Sequence, residues 1–232
     1  MTLIKKTKDL NDLCARLGAA DFITIDTEFL REKTYFPKLC LIQLSAPGEE
    51  AYAVDPLADG LDLAPLKDLL TSPDVTKVFH AARQDLEIFY NHFGVVVDPI
   101  FDTQVAAMVC GYGDSVGYQR LVQDICKAEL DKAHQFTNWA YRPLSDTQLQ
   151  YALDDVIYLK DIYESLWARL KTQERDRWVK EEMAILTDSQ TYEARPDEAW
   201  QRLKLKNTKP KTLAAAKTLA AWREEQAMRK NI

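Results

Sequence analysis

A mixed α/β sheet flanked by helices, followed by a short all-helical C-terminal segment, is the fold class that this chain predicts. Three observations carry it. Short apolar runs punctuated by Pro and Gly crowd the start of the chain; strands then alternate with helices as far as Phe93; from Thr103 onward the apolar rhythm is almost wholly helical.

The elements follow in order. Leu10, Leu13 and Leu17 recur at helical spacing within Thr7 to Leu17. Three short apolar runs, Phe22–Asp26, Leu39–Leu44 and Ala51–Val54, read as strands, separated by the turn residues Pro37, Pro47-Gly48 and Pro56. A helix near Leu63–Leu70 leads to a strand at Lys77–His80 and a helix through Gln84–Phe93. Downstream, Ser145 and Gln148 stand as N-cap and N3 of a capping box just after Pro143, so the next helix carries Tyr151 and Asp155. Around Asp188–Asp197 the periodicity lapses and Pro196 appears, which marks a linker. Beyond it, Leu203, Leu213, Ala216, Leu219, Ala220 and Trp222 predict two more helices. The expected division is a domain over 1–190 and a helical segment over 191–232.

Composition bounds what such a fold can do. The chain has 232 residues, 47% hydrophobic and 28% charged, which suits one large folded domain with a small appendage. No apolar run reaches membrane-spanning length, and Met1–Lys6 lacks the apolar core of a signal peptide, so a cytoplasmic location and no membrane partner are expected. Four scattered cysteines and three histidines argue against a zinc site and more strongly against a disulfide framework. Charge is uneven. Residues 200–232 hold nine Lys/Arg against two Glu, a balance of +7, which leaves −13 on the rest of a chain whose net charge is −6. An acidic body with a basic end suits a carboxylate-rich site joined to a phosphate-attracting module; a solvated Lys-rich helix accounts for the basic end equally well.

The acidic residues have a pattern. Asp26 and Glu28 lie two apart, on one face of the first apolar strand, although the pair in isolation reads more readily as a solvated strand end. Asp85 falls in the first turn of a helix, where the helix dipole alone could explain it. Tyr151 and Asp155 are four apart and share a helical face, while the adjacent Asp154 points about 100° away. Together these acids suggest oxygen-only ligands for divalent metal, with a phenol to aim a water.

That order, Asp-x-Glu on a strand, Asp opening a later helix and Tyr-x-x-x-Asp on a third element, resembles the DEDD superfamily of 3′–5′ exonucleases in its tyrosine variant. The sister variant places His five residues before the last Asp, where this chain has Gln150. Asp26-Thr27-Glu28-Phe29, Tyr35 through Leu44, Val54-Asp55-Pro56-Leu57, Phe101-Asp102-Thr103-Gln104 and Arg142-Pro143-Leu144 look like the ribonuclease D family over roughly residues 1–190. Ala199 through Arg223 is similar to the opening of the helicase-and-ribonuclease-D C-terminal domain, which the chain would contain only in part.

The resemblance implies a ribonuclease H-like sheet and a 3′–5′ exoribonuclease that releases nucleoside 5′-monophosphates from single-stranded RNA 3′ ends, tRNA precursors among them. It implies two divalent ions, Mg²⁺ or Mn²⁺, about 3.5–4 Å apart, held by Asp26, Glu28, Asp85 and Asp155, with Asp26 bridging. Tyr151 would orient the attacking water. Glu28 and the Thr27 amide are candidates for the terminal 3′-hydroxyl. Phe29 and Tyr35 could stack on bases or pack in the core; Arg83 could contact phosphate or water; His80 fits a satisfied strand-end histidine better than a substrate contact. Neighbouring readings are an exonuclease for very short RNA or for single-stranded DNA, and a non-catalytic RNA-binding module, against which the full set of acids stands. A glycosidase-like carboxylate pair has no use for the further acids.

Overall fold

The structure, a computed structural model, describes residues 2–131, 137–206 and 209–232. Six strands form one mixed sheet: β1 (Thr2–Ile4), β2 (Phe22–Leu30), β3 (Lys38–Ser45), β4 (Tyr52–Val54), β5 (Thr76–Phe79) and β6 (Ile100–Asp102), in spatial order β1-β4-β3-β2-β5-β6. β2 is antiparallel to β3 and parallel to β5. It runs four residues beyond the expected end, so Asp26 and Glu28 sit within the paired strand, and its register against β3 shifts between Glu28 and Phe29. β1 and β6 were not legible in the sequence. Three residues are too few to display a period, and both strands exist through their partners, β4 and β5.

Helices cover the sheet. In α1 (Thr7–Leu17), Leu10, Leu13, Cys14 and Leu17 are buried, and the helix packs on α2 (Ala64–Thr71). α3 (Arg83–Phe93) follows β5, and α4 (Thr103–Val109) follows β6. A short helix α5 (Tyr118–Leu121) continues into a π-helical turn that packs on α6 (Asp146–Thr172). The predicted capping box opens α6: Ser145 and Gln148 satisfy each other's backbone N–H groups. α6 then lies across β2 and β3. Under its first turns, Leu149, Ala152 and Leu153 form a separate cluster with Cys40, Leu41, Ala53, Trp139 and Leu144.

One guanidinium fixes this end of α6. Arg142 grips the buried Asp55 carboxylate with Nε and Nη2, at 2.8 and 2.7 Å, and donates to the carbonyls of Cys40, at 2.6 Å, and Trp139, at 2.7 Å. The turn before α6 is thereby tied to β3 and to the end of β4. The planar fork suits this arrangement, since one side chain must serve a carboxylate and three carbonyls, that of Tyr141 at 2.9 Å being the third.

After α7 (Asp176–Leu186) the chain departs from expectation. In place of two helices past the linker there is a 3₁₀ segment, Pro196–Arg202, and a single long helix, α8 (Pro210–Lys230). Pro210 sits in the first turn of α8, and proline disfavours helical backbone in the residue before it, so the helix starts there and not earlier. α8 clasps the β2–β3 loop. The Tyr35 hydroxyl donates to Glu224 Oε1 at 2.6 Å, the Phe36 N–H donates to Asn231 Oδ1 at 2.9 Å, and Arg202 pairs with the buried Glu224 at 2.6 Å.

Arg142→Ala would leave Asp55 charged and buried without its partner. An expected loss of about 3 kcal/mol in urea-induced unfolding follows; an unchanged midpoint would contradict the clamp.

Candidate active site

β2 presents Asp26 and Glu28 on the face that α6 covers. The register of strand on helix is set by Thr24, two residues before Asp26, whose hydroxyl donates to the Val156 carbonyl at 2.9 Å, one residue past Asp155. Carboxylate oxygens of Asp26, Glu28 and Asp155 consequently lie within 4.8 Å of one another.

Asp85 arrives from the β5–α3 turn. It is 7% exposed and lies outside the group of three, but near enough to repel both Asp26 and Glu28. Its Oδ1 accepts a short hydrogen bond from the Thr27 hydroxyl. The turn that delivers it includes Ala81 at φ +58°, a conformation costly for a residue with a Cβ. Buried Asp102 holds that turn: its carboxylate accepts the N–H groups of Ala81 at 3.0 Å and Ala82 at 2.8 Å, and it caps α4 through the Gln104 N–H at 2.8 Å.

Four acids in one place repel. All three residues of the tight group are partly exposed yet crowded by protein. Burial, then Asp155, Asp85 and Glu28, drive the Asp26 pKa well above the ordinary carboxylate range. Burial, with Asp155 and Asp85, pushes Glu28 up to about 9. Asp155 rises to about 7 through burial and its neighbour Asp154; Asp85 also rises to about 7 through burial, restrained by the Thr27 hydroxyl. A dense, oxygen-only donor set that cannot comfortably ionise alone is what a hard divalent cation fits.

Tyr151 stands one turn before Asp155 on α6, half-buried, with its ring 6.1 Å from that of Trp139. Burial and Asp155, Glu28 and Asp26 raise its pKa, so the phenol keeps its proton at neutral pH. A cleft of about 350 Å³ opens beside it, lined by Tyr118, Arg120, Asp131, Tyr151, Asp154 and Asp155. The Asp154 carboxylate accepts a bond from Gln150 Nε2 at 2.7 Å and is outside the group of three.

The other candidates are dispersed around this centre. Thr27 is buried and spends its hydroxyl on Asp85. Phe29 packs against the main core, and Tyr35 is held by Glu224. His80 Nδ1 lies 3.0 Å from Thr103 Oγ1, its ring near Tyr118, and burial lowers its pKa. Arg83 is exposed at the start of α3. Sequence reasoning assigned no role to Asp102 or to the Asp55–Arg142 pair. Asp102 carries a local signal, an N-cap acid opening α4; the pair spans 87 residues and has none.

Comparison with known proteins is decisive for the family. A family model described as a 3′-5′ exonuclease matches residues 1–171. The chain belongs to this 3′–5′ exonuclease family. Within it, the chain is similar to a ribonuclease D of Acidiphilium cryptum, at 54% identity over 99% of this chain and 58% of that protein. The crystal structure of Escherichia coli RNase D, described as an exoribonuclease involved in structured RNA processing, superposes at a TM-score of 0.92 with 34% identity, covering 100% of this chain and 61% of that one. Brucella melitensis NrnC bound to pGG superposes at 0.70 with 25% identity, covering 90% of this chain and 100% of that one. The chain thus spans about three-fifths of the length of its ribonuclease D relatives. The ribonuclease H-like exonuclease fold expected from the sequence is the fold observed. Among the described residues no helix is long and apolar enough to cross a membrane.

The raised pKa values fix a sign. For each of these acids the folded protein retains its proton to higher pH than the unfolded chain, so its contribution to stability is lost as pH climbs through the folded value. Between about pH 6 and about pH 8 the metal-free protein should therefore lose thermal stability, and millimolar Mn²⁺ should restore it increasingly across the same range. A flat profile in EDTA would contradict the crowding.

Proposed function

We propose that residues 1–190 form a metal-dependent 3′–5′ exoribonuclease domain and that 191–232 are part of a helical nucleic-acid-binding domain. Single-stranded RNA 3′ ends, including those of tRNA precursors, are its substrates, nucleoside 5′-monophosphates its products, and the cytoplasm its location. The observation that carries the reading is the Asp26–Glu28–Asp155 group with Tyr151 one helical turn away.

Asp26, Glu28, Asp85 and Asp155 would hold two divalent ions, Mg²⁺ or Mn²⁺. When bound, such ions neutralise the scissile phosphate, acidify a water and stabilise the leaving oxygen. The protein does the rest. Tyr151, protonated at neutral pH, orients the attacking water by hydrogen bonding and does not act as a free base. Glu28 and the Thr27 backbone N–H receive the terminal 3′-hydroxyl. Arg83 lines two clefts, beside Asp102 and beside Tyr35, where a guanidinium meets backbone phosphate. Tyr35 lines the second of these clefts and, with Phe29, would stack on bases, while the nine basic residues of 200–232 attract the RNA further back.

A second reading, an enzyme for very short RNA, is favoured by the similarity to NrnC, which is described with pGG. Rates on a dinucleotide, a longer RNA and single-stranded DNA separate the two.

Asp155→Asn removes a ligand at constant volume. Expected is a folded protein whose hydrolysis of a single-stranded RNA falls by about 100-fold or more, and wild-type activity that EDTA abolishes and Mn²⁺ restores. Near-normal turnover by the variant, or activity that survives EDTA, would sink the assignment.

A further inference from the structure

Gln43 is fully buried on β3, and neither its amide nitrogen nor its amide oxygen has a hydrogen-bond partner. A buried carboxamide without partners is costly, and an apolar side chain of similar size would fill the space at no such cost. Its position gives the reason for it. In the β2–β3 register Gln43 stands directly opposite Asp26, so both side chains leave the sheet on the same face, with Cβ atoms about 4.5–5.5 Å apart.

The surrounding polar groups are otherwise engaged. Thr24 gives its hydroxyl to the Val156 carbonyl, and Ser45, the next residue of β3 on that face, gives its hydroxyl to the Glu50 carbonyl. On the far side, Gln43 faces Ala53 of β4, which offers only a methyl group. Asp26 is the polar side chain that remains adjacent in the register.

We propose that Gln43 is a positioning residue for Asp26: in the ion-loaded protein its amide N–H donates to the Asp26 carboxylate and holds that carboxylate in the orientation that binds the ion. The inference rests on the reading of Asp26 as an ion ligand. It explains why an amide is kept where the metal-free fold has no use for one, since metal ligands are generally oriented by such outer partners.

The test uses the full chain and Mn²⁺ alone as probe. Gln43→Met preserves length and approximate volume while removing the amide; Gln43→Leu is a second apolar replacement. Both should unfold cooperatively in EDTA at a temperature equal to or above that of wild type, because the unpartnered amide is gone. Both should bind Mn²⁺ about 10- to 100-fold more weakly by calorimetry, with a correspondingly smaller Mn²⁺-induced rise in unfolding temperature. Asp26→Asn serves as the control for the underlying reading. If Asp26→Asn weakens Mn²⁺ binding but either Gln43 variant binds within about twofold of wild type, this proposal fails alone. If Asp26→Asn itself leaves binding unchanged, the ion-ligand reading fails with it. Loss of cooperative folding in both Gln43 variants would also overturn the proposal, because the amide would then be a requirement of the fold.

Discussion

Repulsion among carboxylates is the constraint on which the rest of the structure depends. Asp26, Glu28 and Asp155 bring oxygens within 4.8 Å of one another, and Asp85 adds a fourth charge close by. No such cluster forms for its own benefit; like charges in a crowded site oppose folding. Positive charge must come from elsewhere, and no Lys, Arg or His is part of the group of three. That deficit is what the proposed divalent cations would fill, and through them the site would take phosphate.

Holding the acids against their repulsion falls to hydrogen bonds that reach in from behind. Thr24 locks α6 onto β2 beside Asp155. The Thr27 hydroxyl restrains Asp85, and Asp102 secures the left-handed turn at Ala81 from which α3 and Asp85 emerge. Arg142 ties the approach to α6, and so the Trp139–Tyr151 contact, to Asp55 and Cys40. These anchors come from three separate segments: β2, the end of β6 and the turn before α6. Thr24, Asp102 and Arg142 fix backbone and Thr27 holds the Asp85 carboxylate itself, which is how a mutually repulsive site can be held in place from behind. The C-terminal helix adds a clasp on the β2–β3 loop, through Tyr35 and Glu224, and so couples the basic end of the chain to the strand that carries Asp26 and Glu28.

What could be read from the sequence was local. Period-2 and period-3.6 patterns located β2, β3, α1 and α3, and the Ser145–Gln148 capping box located α6 and hence the shared face of Tyr151 and Asp155. The order of acids gave the family. What could not be read was non-local or too short. β1 and β6 are three residues each and exist through pairing; the Tyr35–Glu224 bond spans 189 residues. Two helices were expected where one long helix forms, because apolar spacing does not reveal that Pro210 sets the start. Gln43 was visible as one polar letter in an apolar run, but its meaning needs the register that places it opposite Asp26.

The most direct measurement is a crystal of the chain soaked with Mn²⁺ and a nucleoside 5′-monophosphate, read by anomalous scattering at the manganese edge. The account predicts two peaks among Asp26, Glu28, Asp85 and Asp155, with Tyr151 facing the nucleotide phosphate. Peaks elsewhere, or a nucleotide bound without manganese at these carboxylates, would contradict it.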